Sequence, residues 1–162
     1  MAISTYAVAV GGNRRGRHGT PRAEVRAALA LLGGTPSPII DTPPLGPSIR
    51  RFANAVTVIA SAEPPAALLA RLKAVERAAG RRAGRRWGAR VLDLDIVLWS
   101  GGRLATRPLT LPHPAFRTRA FVLRPLLAVA PGWRDPVTGL RVRHLHARLT
   151  RARPINRPRG TW

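Results

Sequence analysis

The apolar residues of this chain recur with two different spacings, and the order of those spacings limits the folds that it can adopt. Apolar–polar alternation indicates strands, whereas apolar residues three and four apart indicate helices. The strands are expected at 6–10, 39–40, 52–60 and 91–99, and the helices at 21–32, 66–79 and 121–129. The first six of these elements follow the order strand, helix, strand, strand, helix, strand. This order predicts an α+β fold with a ferredoxin-like βαββαβ core, whose sheet is mostly antiparallel and packed against helices.

The length of 162 residues corresponds to one domain. We predict a single domain over 1–147, followed by a basic, proline-containing tail over 148–162 that is poorly ordered. The absence of cysteine excludes disulfides and thiolate zinc sites. No secretory leader pattern is visible, and no apolar run approaches the ~20 residues that span a bilayer. We therefore expect a cytoplasmic protein that does not associate with a membrane, and a monomer.

The formal net charge is +21, and Lys73 is the only lysine, so nearly all of the positive charge comes from arginine. Part of this bias is typical of a GC-rich genome. A field of this sign nevertheless attracts polyanions, among them nucleotides. Because the chain has only seven acidic residues, two aspartates separated by one residue stand out.

Asp93 and Asp95 lie in the alternating segment 91–98. Alternation places both carboxylates on one face of a strand, about 7 Å apart, with Leu92, Leu94, Ile96 and Leu98 on the core face. Two carboxylates this close repel each other, and a hard cation such as Mg²⁺ relieves the repulsion. The alternative is a solvated acidic face, and the strand pattern alone does not decide between them.

The segment 81–90, directly before this strand, favours the metal site. Five arginines offer forked donors that match phosphate oxygens, and its glycines permit the loop to close over a substrate. The arginines are Arg81, Arg82, Arg85, Arg86 and Arg90. Carboxylates for a metal next to arginines for phosphate are what phosphoryl-type transfer from a nucleoside triphosphate requires. The alternative is a solvated or nucleic-acid-binding arginine loop.

A third group of residues suits a flat polar heterocycle. Phe52 and Phe121 are able to stack on such a ring, Asn54 offers a donor and an acceptor to its edge, and the proline-rich segment 42–47 would line the pocket. Each of these residues has a purely structural alternative. His113, between two prolines, either contacts phosphate or braces its turn.

Six short strings, taken in order, resemble one enzyme family. The string RWGARVLDLDI at 86–96 resembles the signature of the 6-hydroxymethyl-7,8-dihydropterin pyrophosphokinases. The likeness continues through GGN at 11–13, TPPLGP at 42–47, FANA at 52–55, LPHP at 111–114 and RAF at 119–121. It covers about residues 5–140.

The resemblance implies that the chain transfers the pyrophosphoryl group of ATP, as co-substrate, to the hydroxymethyl group of the pterin and releases AMP. It implies two Mg²⁺ ions on Asp93 and Asp95. The catalytic group would be Arg81, Arg82, Arg86, Arg90, Asp93 and Asp95. The ATP-binding residues would be Lys73, Glu76, Arg90, Ile96, Thr110, His113 and Arg119. The pterin-binding residues would be Thr42, Pro43, Leu45, Phe52, Asn54, Trp87, Asp93 and Phe121.

Two alternative functions predict different features of the sequence. A basic ferredoxin-like sheet that binds RNA requires aromatic rings exposed on the sheet, and only three Phe and one Tyr are present. A family member without activity would serve as a scaffold, but Asp93, Asp95, Asn54 and Arg90 are all intact. We expect small-molecule substrates rather than nucleic acid.

Overall fold

The computed structural model describes residues 2–43, 51–80 and 91–151. Within them, five strands form one sheet in which every neighbouring pair is antiparallel. The strands are β1 (Ser4–Gly12), β2 (Thr35–Pro36), β3 (Ile40–Thr42), β4 (Phe52–Ser61) and β5 (Asp93–Trp99). The order across the sheet is β2 and β3 on one edge, then β4, β1 and β5. This is the predicted ferredoxin-like arrangement, with β4 between the first two strands of the chain.

Four helices pack against this sheet in the described part of the chain. They are α1 (Pro21–Leu32), α2 (Pro65–Ala78), α3 (Ala120–Val129) and α4 (Val142–Thr150). A 3₁₀ turn (Phe116–Thr118) precedes α3, and a short ribbon of β6 (Leu104–Ala105) and β7 (Thr110–Leu111) follows β5. No described helix has the length and apolar character needed to cross a bilayer.

Both ends of α1 follow from the sequence. The Thr20 hydroxyl accepts a hydrogen bond from the Ala23 N–H, and Pro21 occupies the first turn, where no N–H is needed. Gly33 ends the helix with a φ of 72°, a left-handed value that favours glycine. The predicted bounds of α1 are confirmed, and those of α2 and α3 are shifted by one residue.

The sheet separates two hydrophobic clusters. The first contains Val8, Leu72 and Leu94 and lies between the sheet and α1 and α2. The second contains Val56 and Leu123 and lies between the sheet and α3 and α4. Since α3 and α4 cover part of this second face, it is not the open aromatic surface that an RNA-binding sheet requires.

The placement of Leu98 on the same face as Leu92, Leu94 and Ile96 is wrong. In the pairing of β1 with β5, Ala7 lies opposite Leu98, but the next residue, Val8, lies opposite Ile96. The register therefore shifts by one residue between Ala7 and Val8. Val97 is therefore an extra residue in β5, and a β-bulge of this kind reverses the alternation beyond it. As a result, Leu98 joins Val97 in the second cluster.

Two other boundaries differ from the prediction. The second strand is divided into β2 and β3, and between them the Ser37 hydroxyl accepts from the Val56 N–H at 2.9 Å. Pro36 and Pro38, on either side of Ser37, have no N–H with which to continue the ladder. The predicted start of a poorly ordered tail at Arg148 falls inside α4, which is helical to Thr150 because Val142 and Leu145 are buried in the second cluster. Residues 152–162 lie outside the described residues.

Candidate active site

The strand register brings the predicted polar residues to one face of the sheet. Asp93 pairs with Gly11 of β1, and Gly11 in turn pairs with Asn54 of β4. Asp95 pairs with Ala9 in the next row. Because directly opposed residues point to the same side of a sheet, both carboxylates and the Asn54 amide share the face away from α1 and α2.

Gly11 provides the space in which the Asn54 side chain lies. A Cβ atom at position 11 would stand 2.6 Å from Asn54 Oδ1, which is closer than real contacts of this kind. The other end of the amide is fixed, because Asn54 Nδ2 donates to Thr42 Oγ1 at 2.7 Å. The amide of Asn54 is thus held in one orientation over β1, between Thr42 and the row that contains Asp93.

Asp95 is partly buried, and no described residue donates a hydrogen bond to it. Burial raises the pKa of Asp95, and the like charge of Asp93 raises it further. His113, Lys73 and Arg119 act in the opposite direction without overcoming these effects. A carboxyl group that is largely dehydrated and lies next to another acid, with the cationic side chains of Lys73 and Arg119 nearby, is suited to bind a cation bridged to a polyanion.

His113 is held beside this carboxylate by two backbone contacts. Its own N–H donates to the Val97 carbonyl at 2.9 Å, which ties the 111–114 turn to the bulge of β5. Its Nδ1 accepts from the Ala115 N–H at 3.1 Å, so the proton of the neutral ring is on Nε2. Burial lowers the pKa of His113, Arg119 also lowers it, and Asp95 and Asp93 oppose both effects.

Glu76 contacts β5 from the other side. Its side chain is fully buried, and its Oε1 accepts from the Leu94 N–H at 2.7 Å. Lys73 lies one turn earlier on α2, with its Nζ 3.3 Å from both Glu76 oxygens. Glu76 therefore holds the backbone between the two aspartates, and Lys73 supplies a compensating positive charge.

The aromatic residues lie on the same side of the sheet as the carboxylates. Phe52 is half-buried on the face of β4 that carries Asn54, and it pairs with Thr42 of β3. Phe121 is half-buried in the first turn of α3 and packs against the second cluster. The Arg119 guanidinium carbon lies 5.7 Å from the centre of the Phe121 ring.

The remaining predicted residues are of two kinds: those that the structure describes and those that lie outside the described residues. Ile96 is 2% exposed in the first cluster, so only its backbone is available to a nucleotide. Pro43 and Thr110 are exposed, at the ends of β3 and in β7 respectively. The others lie outside the described residues: Leu45, Arg81, Arg82, Arg86, Trp87 and Arg90.

The donor set fits magnesium. Among the described residues, no group of three or more His, Cys, Asp or Glu side chains is placed to hold a metal by itself. Mg²⁺ is usually held by one or two carboxylates, with water and substrate phosphates in the remaining positions. Two carboxylates with no third ligand among the described residues match that pattern, whereas a structural zinc site requires four ligands.

The sequence did not reveal the contacts that fix these side chains. The Thr42 to Asn54 bond, the space above Gly11, the Glu76 to Leu94 bond and the His113 tether to Val97 all join residues that are distant in sequence. No local pattern predicts these contacts, because each depends on how segments that are distant in sequence pack together.

Fold and site together define an α+β protein that carries a carboxylate pair and a fixed amide on one face of an antiparallel sheet. A family model described as 7,8-dihydro-6-hydroxymethylpterin-pyrophosphokinase matches residues 7–131. The chain belongs to this family, and it is therefore a transferase, a kinase in the broad sense.

Individual relatives agree with the family model. The 2-amino-4-hydroxy-6-hydroxymethyldihydropteridine pyrophosphokinase of Pseudomonas aeruginosa is 39% identical over 142 residues, which cover 83% of this chain and 85% of the relative. The Haemophilus influenzae protein of the same name is 35% identical over 136 residues, which cover 79% and 82%. The folic acid synthesis protein fol1 of Schizosaccharomyces pombe is 38% identical over 106 residues, 63% of this chain but 14% of the relative.

The fold also has solved counterparts. The wild-type HPPK-DHPS of Plasmodium falciparum, crystallised with STZ-DHP, has a TM-score of 0.71 at 13% identity. The similarity covers 91% of this chain and 43% of that one. At this identity the comparison supports the fold alone, and this chain spans less than half of that longer protein.

Proposed function

We propose that this chain transfers the pyrophosphoryl group of ATP to 6-hydroxymethyl-7,8-dihydropterin in folate biosynthesis, with two Mg²⁺ ions held by Asp93 and Asp95. The observation that carries the proposal is Asp95, a partly buried carboxyl group without a hydrogen-bond donor among the described residues. It stands beside Asp93 and within the charge field of His113, Lys73 and Arg119. Such a group is costly unless a cation occupies the site, so its presence argues for a ligand.

In the reaction, a bond forms between the hydroxymethyl oxygen and the β-phosphorus, and the bond from that phosphorus to the α–β bridging oxygen breaks. AMP leaves with the bridging oxygen, and the hydroxyl proton passes to solvent. Magnesium, when bound, supplies charge neutralisation at the phosphate oxygens and polarises the attacking oxygen. Asp93 and Asp95 would hold the ions, and Glu76 keeps the strand between them in place through Leu94.

The pterin would lie next to Asn54. The amide that Thr42 orients would pair with the polar edge of the ring, and Phe52 and Phe121 would contact its faces. His113 would donate from Nε2 to a phosphate oxygen, because the Ala115 N–H already occupies Nδ1. Arg119 would add positive charge near Asp95, where the phosphates are expected. We place the arginines of segment 81–90 and Trp87 over the substrates by resemblance to the family.

Release of AMP from ATP tests this proposal. Purified protein should form AMP only when hydroxymethyl-dihydropterin and Mg²⁺ are both present, and Asp95→Ala should abolish that reaction. Glu63→Gln is the matched control, since Glu63 pairs with Arg71 away from the site and its loss should leave the rate unchanged. The proposal fails if the wild-type protein releases no pterin-dependent AMP.

We also propose that the enzyme acts in the cytoplasm as a monomer. Asp93, Asp95, Asn54 and His113 all come from one chain, which supports a monomeric enzyme. Light scattering on the eluted protein measures the mass directly, and a dimer that loses activity on dilution would contradict a monomeric enzyme.

A further inference from the structure

A cleft of about 450 Å³ lies between α1 and α2, on the sheet face opposite the carboxylate pair. Both helices turn alanines toward it: Ala27 and Ala28 from α1, and Ala74 and Ala78 from α2. Leu92 and Val75 also line it. Because alanine side chains are short, the two helices leave a volume open that leucines would fill. The volume is in the range of small-molecule sites, ~300–1,000 Å³.

The mouth of the cleft carries positive charge. Arg17 is exposed, and its guanidinium has no partner among the described residues. Arg71 directs its Nε and one terminal nitrogen at Glu63, which leaves its other terminal nitrogen without a hydrogen bond in the described part of the chain. Because Glu63 offsets the charge of Arg71, the positive charge at this edge of the cleft comes mainly from Arg17, and Arg71 offers its remaining terminal nitrogen as a further donor to an anionic group.

Glu24 is the one acid among the described residues that line the cleft, and it does not offset the charge of Arg17. Glu24 is 3% exposed, and both of its oxygens are engaged by His18. Oε1 accepts from the His18 backbone N–H, and Oε2 lies 2.9 Å from the His18 ring Nδ1. Glu24 thus fixes the loop that carries Arg17 and offers no free oxygen to a cationic ligand.

We propose that this cleft binds a small organic monoanion with an apolar, ring-sized body, such as an aromatic sulfonate or carboxylate. The ring system would lie between the alanine walls, and the anionic group would lie at Arg17 and Arg71. A second copy of the chain is a less suitable occupant, because two molecules of formal charge +21 repel each other. The site is separate from the proposed transfer reaction and does not depend on it.

Titration with two fluorescent probes of nearly the same shape tests the proposal. 8-Anilinonaphthalene-1-sulfonate is anionic, and N-phenyl-1-naphthylamine is its neutral counterpart. We expect one sulfonate site per chain that is unaffected by Mg²⁺ with a non-hydrolysable ATP analogue. Arg17→Gln should weaken the sulfonate by about fivefold and the neutral probe by less than twofold. Arg26→Gln is the control, since Arg26 is exposed on α1 but does not line the cleft.

Two wall variants complete the test. Ala27→Phe should fill the cleft and abolish binding of both probes, whereas Ala30→Phe, on the same helix but outside the cleft, should not. Because Ala27 is half-buried, Ala74→Leu on the exposed opposite wall provides a variant less prone to misfold. The proposal is overturned if neither wall variant weakens the sulfonate, if the ATP analogue displaces it, or if sedimentation shows that Ala27→Phe dissociates a dimer.

Discussion

Asp135 and Asp95 both lie away from bulk water, but their surroundings are opposite. Asp135 is fully buried and accepts from Arg117 at 2.6 and 2.8 Å, from the Thr138 hydroxyl at 2.7 Å and from the Val137 N–H at 3.0 Å. Asp95 accepts from no described residue and has Asp93 as its nearest acidic neighbour in the chain. The fold satisfies the carboxylate of Asp135, whereas the described residues leave the carboxylate of Asp95 without a hydrogen-bond donor.

The pKa values follow these surroundings. Burial by itself would raise the pKa of Asp135, but the hydrogen bonds from Arg117, Thr138 and Val137 outweigh it and hold the pKa at about 2. Burial also raises the pKa of Asp95, and no hydrogen bond from a described residue opposes this effect. Burial alone therefore does not predict a functional acid, and the role that we propose for Asp95 rests on burial without a donor among the described residues.

The largest expected effect is on activity. Asp95→Asn should lower kcat by about 10²–10³-fold, because the carboxylate that we propose as a metal ligand is lost. The same change should raise the melting temperature of the metal-free protein, since it removes repulsion from Asp93. Asp135→Asn is the reciprocal control and should lower the melting temperature with little change in kcat. If metal-free Asp95→Asn melts at a lower temperature than wild type, Asp95 does not destabilise the metal-free protein and the contrast with Asp135 is refuted.

Breaking the ion pair between Arg117 and Asp135 should lower the stability of the protein rather than its activity. Arg117→Met leaves Asp135 buried without its partner, which costs roughly 3–5 kcal/mol of the free energy of unfolding. Urea unfolding measures the loss, and KM for both substrates should stay within about twofold in the folded fraction. Arg117→Lys keeps the positive charge but not the two-pronged geometry of the guanidinium group. Its free energy of unfolding should therefore lie between those of Arg117→Met and wild type. Equal stability of Arg117→Met and wild type would mean that the pair contributes nothing.

The two acids should respond to pH with opposite signs. The pKa of folded Asp135, about 2, lies below its ordinary value of 3.8, so its contribution is complete above 3.8 and is lost as pH falls through about 2. The pKa of folded Asp95 is raised, so its destabilising effect grows as pH rises through that value. Urea unfolding from about pH 7 to about pH 2 should show Asp135→Asn converging with wild type in acid. The free energy of unfolding of Asp95→Asn should also converge with that of wild type in acid. At neutral pH, however, Asp95→Asn should be the more stable protein.

The smallest expected effect concerns the side-chain amide of Asn54, which Thr42 orients. Thr42→Val removes the oxygen that accepts from Asn54 Nδ2 and should raise KM for the pterin by about 5–10-fold, with KM for ATP unchanged. Thr57→Val is the matched control, because Thr57 donates to the Gly33 carbonyl outside the site. That control should lower stability without changing the pterin KM. Equal pterin KM values for both variants would show that Asn54 does not need Thr42.

The parts of the fold that local pattern predicts are the ones that local forces form. Pro21 and Gly33 delimit α1 because proline and glycine set the backbone where they stand. Leu98 was misplaced because a bulge depends on how β5 pairs with β1, which no alternation in β5 alone records. The helix α4 was missed because its stability comes from burial of Val142 and Leu145 rather than from its own propensities.

The sequence by itself determined the residue types of the site, the strand that carries Asp93 and Asp95, the family and the order of the sheet. Only the tertiary structure decided which of those residues meet, that Asn54 lies over Gly11 and that Glu76 holds Leu94. It also decided that Asp95 receives no hydrogen bond from the described residues while Asp135 receives four. The physical reason is that propensity acts over neighbouring residues, whereas dehydration and hydrogen bonding of a carboxylate depend on segments that only the packed sheet brings together.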